Sequence, residues 1–246
     1  MSSSDIYKSK DWITEKAFIK KDDYKAMYEQ SISKPDEFWF EQGQRLDWFT
    51  PYTKVRDYSY EKDDLYIKWY EDGELNASYN CLDRHIEKNA DKIAVIWEGD
   101  DPSNSRKITY QELLTEVCKF SNGLKSLGVK KGDRVTIYMP MIPEAAIAML
   151  SCARIGAVHS VVFGGFSPEA LAGRLEDCDS KYIITADEGV RGGKTIPLKE
   201  NVDKAVSKIK DFKKCVVVKR TGNAINWNSS IDHWYDDLVS SASAIC

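Results

Sequence analysis

Residues 135–178 read VTIYMPMIPEAAIAMLSCARIGAVHSVVFGGFSPEALAGRLEDC, and residues 182–194 read YIITADEGVRGGK. Short apolar runs rich in β-branched residues alternate here with longer runs of helical spacing. Val135–Met139, Ala157–Val162 and Tyr182–Thr185 have the length and character of strands. Pro143–Ile155 has the length of a helix and is expected to turn Ala145, Ala146, Met149, Leu150 and Ala153 inward. Ser167 caps a second helix, with Pro168 at its first position and Leu171 and Leu175 on its buried side. A third helix carries Val202, Ala205, Val206 and Ile209, and Cys215–Val218 is a fourth strand. Strands separated by helices of this length predict βαβ crossovers and a mostly parallel α/β sheet.

Upstream of this run the pattern changes. Asn80–Asn89 reads as a helix that turns Leu82 and Ile86 inward, with His85 on the same face. Ile93–Glu98 and Lys107–Thr109, joined by a polar turn with Pro102, read as a hairpin. Thr109 and Glu112 form a capping box for a helix bearing Leu113, Val117, Phe120 and Leu124, which Gly128 ends. Residues 1–75 form a separate, mainly helical cap, rich in Trp12, Trp39, Trp48, Trp69 and several tyrosines. Asp22–Gln30 and Asp36–Gln44 are its helices, with Asp36 as a cap after Pro35. The aromatic side chains suit anchors onto a larger body. Apart from the opening serines there is no low-complexity segment, and no repeat. Residues 76–246 are the α/β body. Ile231–Ser240 reads as its final helix, after which SSASAIC trails off with no closing strand. Unpaired sheet edges of such a body would favour self-association.

The 246 residues are 42% hydrophobic and 30% charged, a composition typical of a globular protein. A net charge of −4 argues against a nucleic-acid partner held by phosphate neutralisation. No apolar stretch is long enough to span a bilayer, and MSSSDIYKSKDW lacks the apolar core of a signal peptide. The six cysteines form no CxxC pair, and no His stands at zinc-ligand spacing. Reduced, mostly buried thiols in a cytoplasmic protein are the expectation, with no metal site.

Ligands of parallel sheets bind beyond the carboxyl ends of the strands. Two junctions fall there. Phe163-Gly164-Gly165-Phe166 lets a ligand approach main chain closely, although alone it fits a plain strand-to-helix turn better. Arg191-Gly192-Gly193-Lys194 places two cations about two glycines, fitting either a phosphate cradle or a solvated loop; it lacks the nucleotide P-loop spacing. His159 reads as a core histidine within its strand. Asp187 and Glu188 are adjacent and cannot form a paired-carboxylate site. No nucleophile and no catalytic residue stands out.

Longer blocks add a family resemblance. FWFEQGQRLDWFTPYTKV, DGELNASYNCLDRHI, IAVIWEGD, ITYQELL, the 135–178 run from its preceding GDR, and YIITADEGVRGGKTIPLK extend from Phe38 to Lys199. They resemble the N-terminal part of AMP-forming acetyl-CoA synthetases, within the acyl-adenylate-forming superfamily. The resemblance implies a ligase that joins acetate to coenzyme A, with ATP and magnesium, through acetyl-adenylate. It makes residues 76–246 the first part of a large AMP-binding domain. It implies that Phe163, Gly164, Gly165, Arg191, Gly192, Gly193 and Lys194 lie at the coenzyme A site, with Arg191 and Lys194 on its phosphates. The family's YTSGSTGKPKG-type loop, its acyl pocket, its adenine and ribose motifs and its C-terminal domain have no counterpart here. This chain alone is therefore expected neither to adenylate acetate nor to hold ATP well. A propionyl- or other short-chain acyl-CoA synthetase fragment, and a non-catalytic domain binding coenzyme A or a nucleotide, remain as alternatives.

Overall fold

The computed structural model describes residues 9–246, so the opening serines and most of the signal-peptide reading lie outside the described residues. The chain divides into two compact units, one ending at Glu74 and one spanning Leu75–Cys246.

The first unit contains α1 (Asp11–Lys16), α2 (Lys21–Ser33), α3 (Pro35–Gly43), β1 (Arg56–Glu61) and β2 (Asp64–Trp69). Pro35 stands at the first position of α3, where its missing N–H costs nothing, and Lys34 is the cap residue. Asp36 therefore lies inside the first turn rather than capping it, and its carboxylate accepts from Arg56 Nε at 2.6 Å. The cap is not simply helical. β1 and β2 form an antiparallel hairpin from Arg56↔Trp69 to Glu61↔Asp64. Its turn, Lys62-Asp63, carries no Asn-Gly or Asp-Gly signal, which is why periodicity alone misses it. Inside this unit the aromatic rings pack on one another: Trp48 lies 4.9 Å from Tyr52, and Tyr52 lies 4.6 Å from Tyr70. Buried Tyr52 donates to Phe40 O at 2.6 Å and accepts from Gln44 Nε2 at 2.9 Å.

The second unit opens with α4 (Ala77–Cys81) and α5 (Asp83–Asn89). The single helix expected at Asn80–Asn89 is thus two, with buried Leu82 at the break. Asn76 starts the first early by accepting from the Tyr79 N–H at 3.2 Å. Asp83 opens the second, with one carboxylate oxygen on each of two Arg154 nitrogens at 2.8 Å. β3 (Ile93–Glu98) and β4 (Ser105–Thr109) form the antiparallel hairpin. α6 (Tyr110–Ser126) has the Thr109–Glu112 capping box and buries Leu113, Val117, Phe120 and Leu124, as the spacing predicts.

The sheet is built from β5 (Arg134–Met139), α7 (Pro143–Arg154), β6 (Val158–Phe163), α8 (Pro168–Asp177), β7 (Tyr182–Ala186), the small hairpin β8 (Gly189–Arg191) and β9 (Lys194–Ile196), α9 (Leu198–Val206), β10 (Lys214–Val218), β11 (Asp232–Trp234) and α10 (Tyr235–Ser240). Its order is β11-β10-β7-β5-β6, and every pair is parallel. β7 lies inside it and is buried along its whole length, so each of Ile183 and Ile184 contributes roughly 1.5–3 kcal/mol by leaving water.

Four expectations need correction. The buried side of α7 is Ile147, Ala148, Ser151 and Cys152; Ala145, Met149 and Leu150 are only partly buried. A helix this uniformly apolar offers no stripe from which to choose a face. Ile231–Ser240 is not one helix, because its first residues form β11, the fifth strand and a closing edge. A three-residue strand is too short for periodicity to register. β11 is pinned by buried Lys199, which reaches buried Asp232 at 2.9 Å and half-buried Asp203 at 2.6 Å. His159 is exposed on β6, the opposite edge of the sheet, and is not a core histidine. Of the six free cysteines, Cys118, Cys152 and Cys215 are buried, whereas Cys81 and Cys246 are exposed. Burial pushes the Cys152 thiol up to about 12, so it is inert as a nucleophile. No helix among the described residues is long and apolar enough to cross a membrane.

Candidate functional site

The carboxyl ends of β5 and β6 coincide, with Met139 opposite Phe163. Beyond them opens a pocket of about 370 Å³. Its walls come from the end of β3, the segment after β5, the turn after β6, the start of β8 and Arg220 after β10. This is where an open parallel sheet accepts a ligand.

The turn after β6 is shaped by glycine. A Cβ on Gly164 would stand 3.2 Å from the Met139 carbonyl, and one on Gly165 would strike the Phe163 ring at 2.7 Å. Neither position tolerates a side chain without moving the pocket wall. Ser167 then caps α8 by accepting from the Ala170 N–H at 3.3 Å. Tyr138, buried under the turn, donates to Phe166 O at 2.7 Å and accepts from Asn201 Nδ2 at 3.2 Å. Burial pushes its phenol above the ordinary tyrosine value, so it stays a neutral donor that holds the turn.

The segment read as a cradle or a loop is a hairpin. Gly192 and Gly193 form its tip at φ +56° and +73°, a left-handed pair suited to a two-residue turn. The Gly192 N–H donates to Asp100 Oδ2 at 2.9 Å, so this donor is already taken. Arg191 lies on the β8 side, with its guanidinium 5.6 Å over the Phe163 ring. Of the expected residues, Phe163, Gly164, Gly165 and Arg191 line one pocket. Gly192, Gly193 and Lys194 do not line it, and Lys194 is exposed at the hairpin.

Sequence reasoning missed Trp97 and Arg220. Trp97 is held by donating from Nε1 to Met141 O at 2.8 Å, and the Arg220 guanidinium stacks 5.2 Å over its ring. Arg220 follows β10 as Arg191 follows β7, so the rule that drew attention to one strand end applied equally to the other. Asp187 and Glu188 form no acid pair aimed at a substrate; they hold the loop after β10. Buried Asp187 accepts from the main-chain N–H of Arg220 at 2.8 Å and of Gly222 at 2.8 Å. Glu188 accepts from Thr221 Oγ1 and Asn223 Nδ2, each at 2.6 Å. The pocket thus brings together two aromatic-backed cations, Arg191 and Arg220, two acids, Glu98 and Asp100, and close main chain.

A family model described as AMP-binding enzyme matches residues 82–242. The chain belongs to the AMP-binding enzyme family. A second model, described as Acetyl-coenzyme A synthetase N-terminus, matches residues 24–81. Among curated relatives, the acetyl-coenzyme A synthetase of Parvibaculum lavamentivorans is 59% identical over 94% of this chain and 36% of its own length. That of Shewanella halifaxensis is 55% identical over the whole of this chain and 38% of its own length. The chain therefore spans little more than a third of the length of these relatives, and the second match assigns its opening to their N-terminal part. Acetoacetyl-CoA synthetase from Streptomyces lividans superposes with a TM-score of 0.79 at 22% identity, covering 94% of this chain and 35% of that one. At that identity the likeness concerns the fold: the parallel α/β body is that of this family's first domain.

Proposed function

We propose that this chain is the N-terminal part of an AMP-forming acetate–CoA ligase and that its pocket receives the nucleotide half of coenzyme A. In this reaction a carboxylate oxygen of acetate attacks the α-phosphorus of ATP and pyrophosphate leaves. The thiol of coenzyme A then attacks the acyl carbon, and AMP leaves with the oxygen. Acetate alone is a poor electrophile, and adenylation supplies the leaving group. The observation that carries the reading is the match to acetyl-coenzyme A synthetases along 94–100% of the chain at 54–59% identity.

The geometry supports a binding role for this part. Arg191 offers a planar fork of donors to a phosphate, and its stack on Phe163 keeps that fork oriented. Phe163 and Trp97 supply flat apolar faces for a base, and the glycines of the β6 turn let it approach main chain. Lys194 adds a charge near the hairpin. ATP and magnesium chemistry belongs, in this reading, to residues outside this chain, and the protein works in the cytoplasm. Two measurements test it. Coenzyme A titrated into the chain should bind, and Arg191→Ala should weaken it about tenfold or more, the value of a charge-assisted hydrogen bond. Equal affinity removes Arg191 from the site. Acetate, ATP and magnesium should give no pyrophosphate above a boiled control; sustained release by this chain contradicts the division of labour.

A further inference from the structure

The β1–β2 hairpin is inside out. Its register puts Arg56, Tyr58 and Tyr60 on one face with Trp69, Ile67 and Leu65, and Asp57, Ser59 and Glu61 on the other with Lys68, Tyr66 and Asp64. The polar face is the better covered. Asp57, Ser59 and Tyr66 are half-buried there, and the Asp57 carboxylate meets Lys54 Nζ at 2.7 Å and accepts from the Tyr66 hydroxyl at 3.1 Å. The apolar face looks outward: Tyr58, Tyr60, Leu65, Ile67 and Trp69 are each between 44% and 71% exposed. Exposed Trp39 of α3 extends it, with its ring edge-on to Trp69 at 5.7 Å. At about 150–250 Å² per large side chain, these six groups present on the order of 600 Å² of apolar and aromatic surface. That is at the upper limit of what a soluble monomer leaves bare in one patch.

We infer that the chain forms a two-fold homodimer through the apolar face of the β1–β2 hairpin. The area fits: two copies bury on the order of 1,200 Å² in total, the lower end of the range for a specific interface. The charge fits as well. Of the register positions on this face only Arg56 is charged, and its guanidinium is held by Asp36 at 2.6 Å and lies 5.1 Å over the Tyr58 ring. A two-fold contact matches a patch with its own copy, so a patch without opposing charges meets no repulsion. With the axis along the strands, β1 of one copy faces β2 of the other. The tyrosines then rest on Leu65 and Ile67 of the other copy, rings against aliphatic side chains, and Arg56 comes level with its Trp69. The contact is this face and not the edge that β6 leaves unpaired in the parallel sheet. It is independent of what the pocket binds.

The test is sedimentation velocity of the full chain over a range of concentrations. At about 100 µM, above the micromolar Kd of a weak interface of this size, the wild type should sediment at twice the 28.0 kDa of one chain. Ile67→Lys and, separately, Leu65→Glu should each weaken the dimer about tenfold or more, because the two-fold carries each new charge into the contact twice. Ile67→Ser, which adds no charge, should weaken it less. Both positions are exposed within one chain, so thermal unfolding of the dilute monomer should be unchanged. Val161→Lys, at an exposed position on β6, should leave the dimer intact. A wild type that is monomeric at every concentration overturns the inference and leaves the face to a different polypeptide. A dimer that survives both hairpin charges, or that Val161→Lys dissolves, overturns it by placing the contact elsewhere.

Discussion

In the unit spanning Leu75–Cys246, β7 buries all of its residues, and apolar side chains from the sheet, α6, α7, α8 and α9 merge into one core. In the unit ending at Glu74, α2 buries none of its residues, and the buried apolar side chains among those described are Phe38, Tyr52 and Val55. The first arrangement excludes water from a continuous interior. The second packs ring against ring and uses hydrogen bonds from Tyr52 and Trp48 to close gaps. Both are folded, but only the first creates a rigid rim on which a pocket can be built. Every described wall of the candidate site belongs to it.

The contrast can be broken by mutation. The largest effect is expected at Lys199, where Lys199→Met leaves the Asp232 carboxylate buried without its cation. Urea unfolding should show a loss of about 3–5 kcal/mol in the second unit. Burial pulls the Lys199 pKa down, but hydrogen bonds to Asp203 and Asp232 outweigh it and hold it above the ordinary 10.5. The raised value makes its contribution complete below pH 10.5 and lost as pH rises through the higher folded value. Wild-type stability should therefore fall on that alkaline limb, and Lys199→Met should fall less steeply there, the buried Cys152 thiol and Tyr138 phenol still contributing. Leu175→Ala, at a side chain with no exposure, should cost about 2–5 kcal/mol in the same transition. Thr109→Ala removes one half of the α6 capping box and should cost about 0.5–2 kcal/mol. The Glu112 carboxyl is held below its usual value by the Thr109 main-chain N–H and then by the Thr109 hydroxyl. That contribution is present above pH 4.5 and fades as pH falls through the lower folded value, so the variant's acid limb should be shallower. The smallest effect is expected in the cap. Tyr52→Phe loses its bond to Phe40 O, about 0.5–1.5 kcal/mol, and should move only the transition of the first unit. A single transition that responds equally to Leu175→Ala and Tyr52→Phe would erase the distinction between the units.

The same contrast explains what was legible in the sequence. Where a helix on the core sets an apolar stripe against a polar face, spacing reveals it: Leu113, Val117, Phe120 and Leu124 on α6, and Leu171 and Leu175 on α8, face inward as read. Capping residues Thr109 and Ser167 also act as their chemistry dictates. Periodicity fails where the neighbours decide. The hairpin β1–β2 alternates charge and ring with no turn signal, and the middle of α7, from Ala145 to Leu150, is apolar on every side. β11 exists because Lys199 and β10 hold three residues in line. The site follows the same logic. Phe163, Gly164 and Arg191 stand at strand ends that could be read directly. Arg220 waited for the structure because a single cation after a strand is common, and only its stack on Trp97 distinguishes it.

Hydrogen exchange of the full chain with and without coenzyme A is the most direct measurement. The account predicts slower exchange at the amides of residues 163–166, 189–196 and 219–222 and no change in the unit ending at Glu74. Protection confined to the cap, or no protection at the strand ends under saturating coenzyme A, would contradict it.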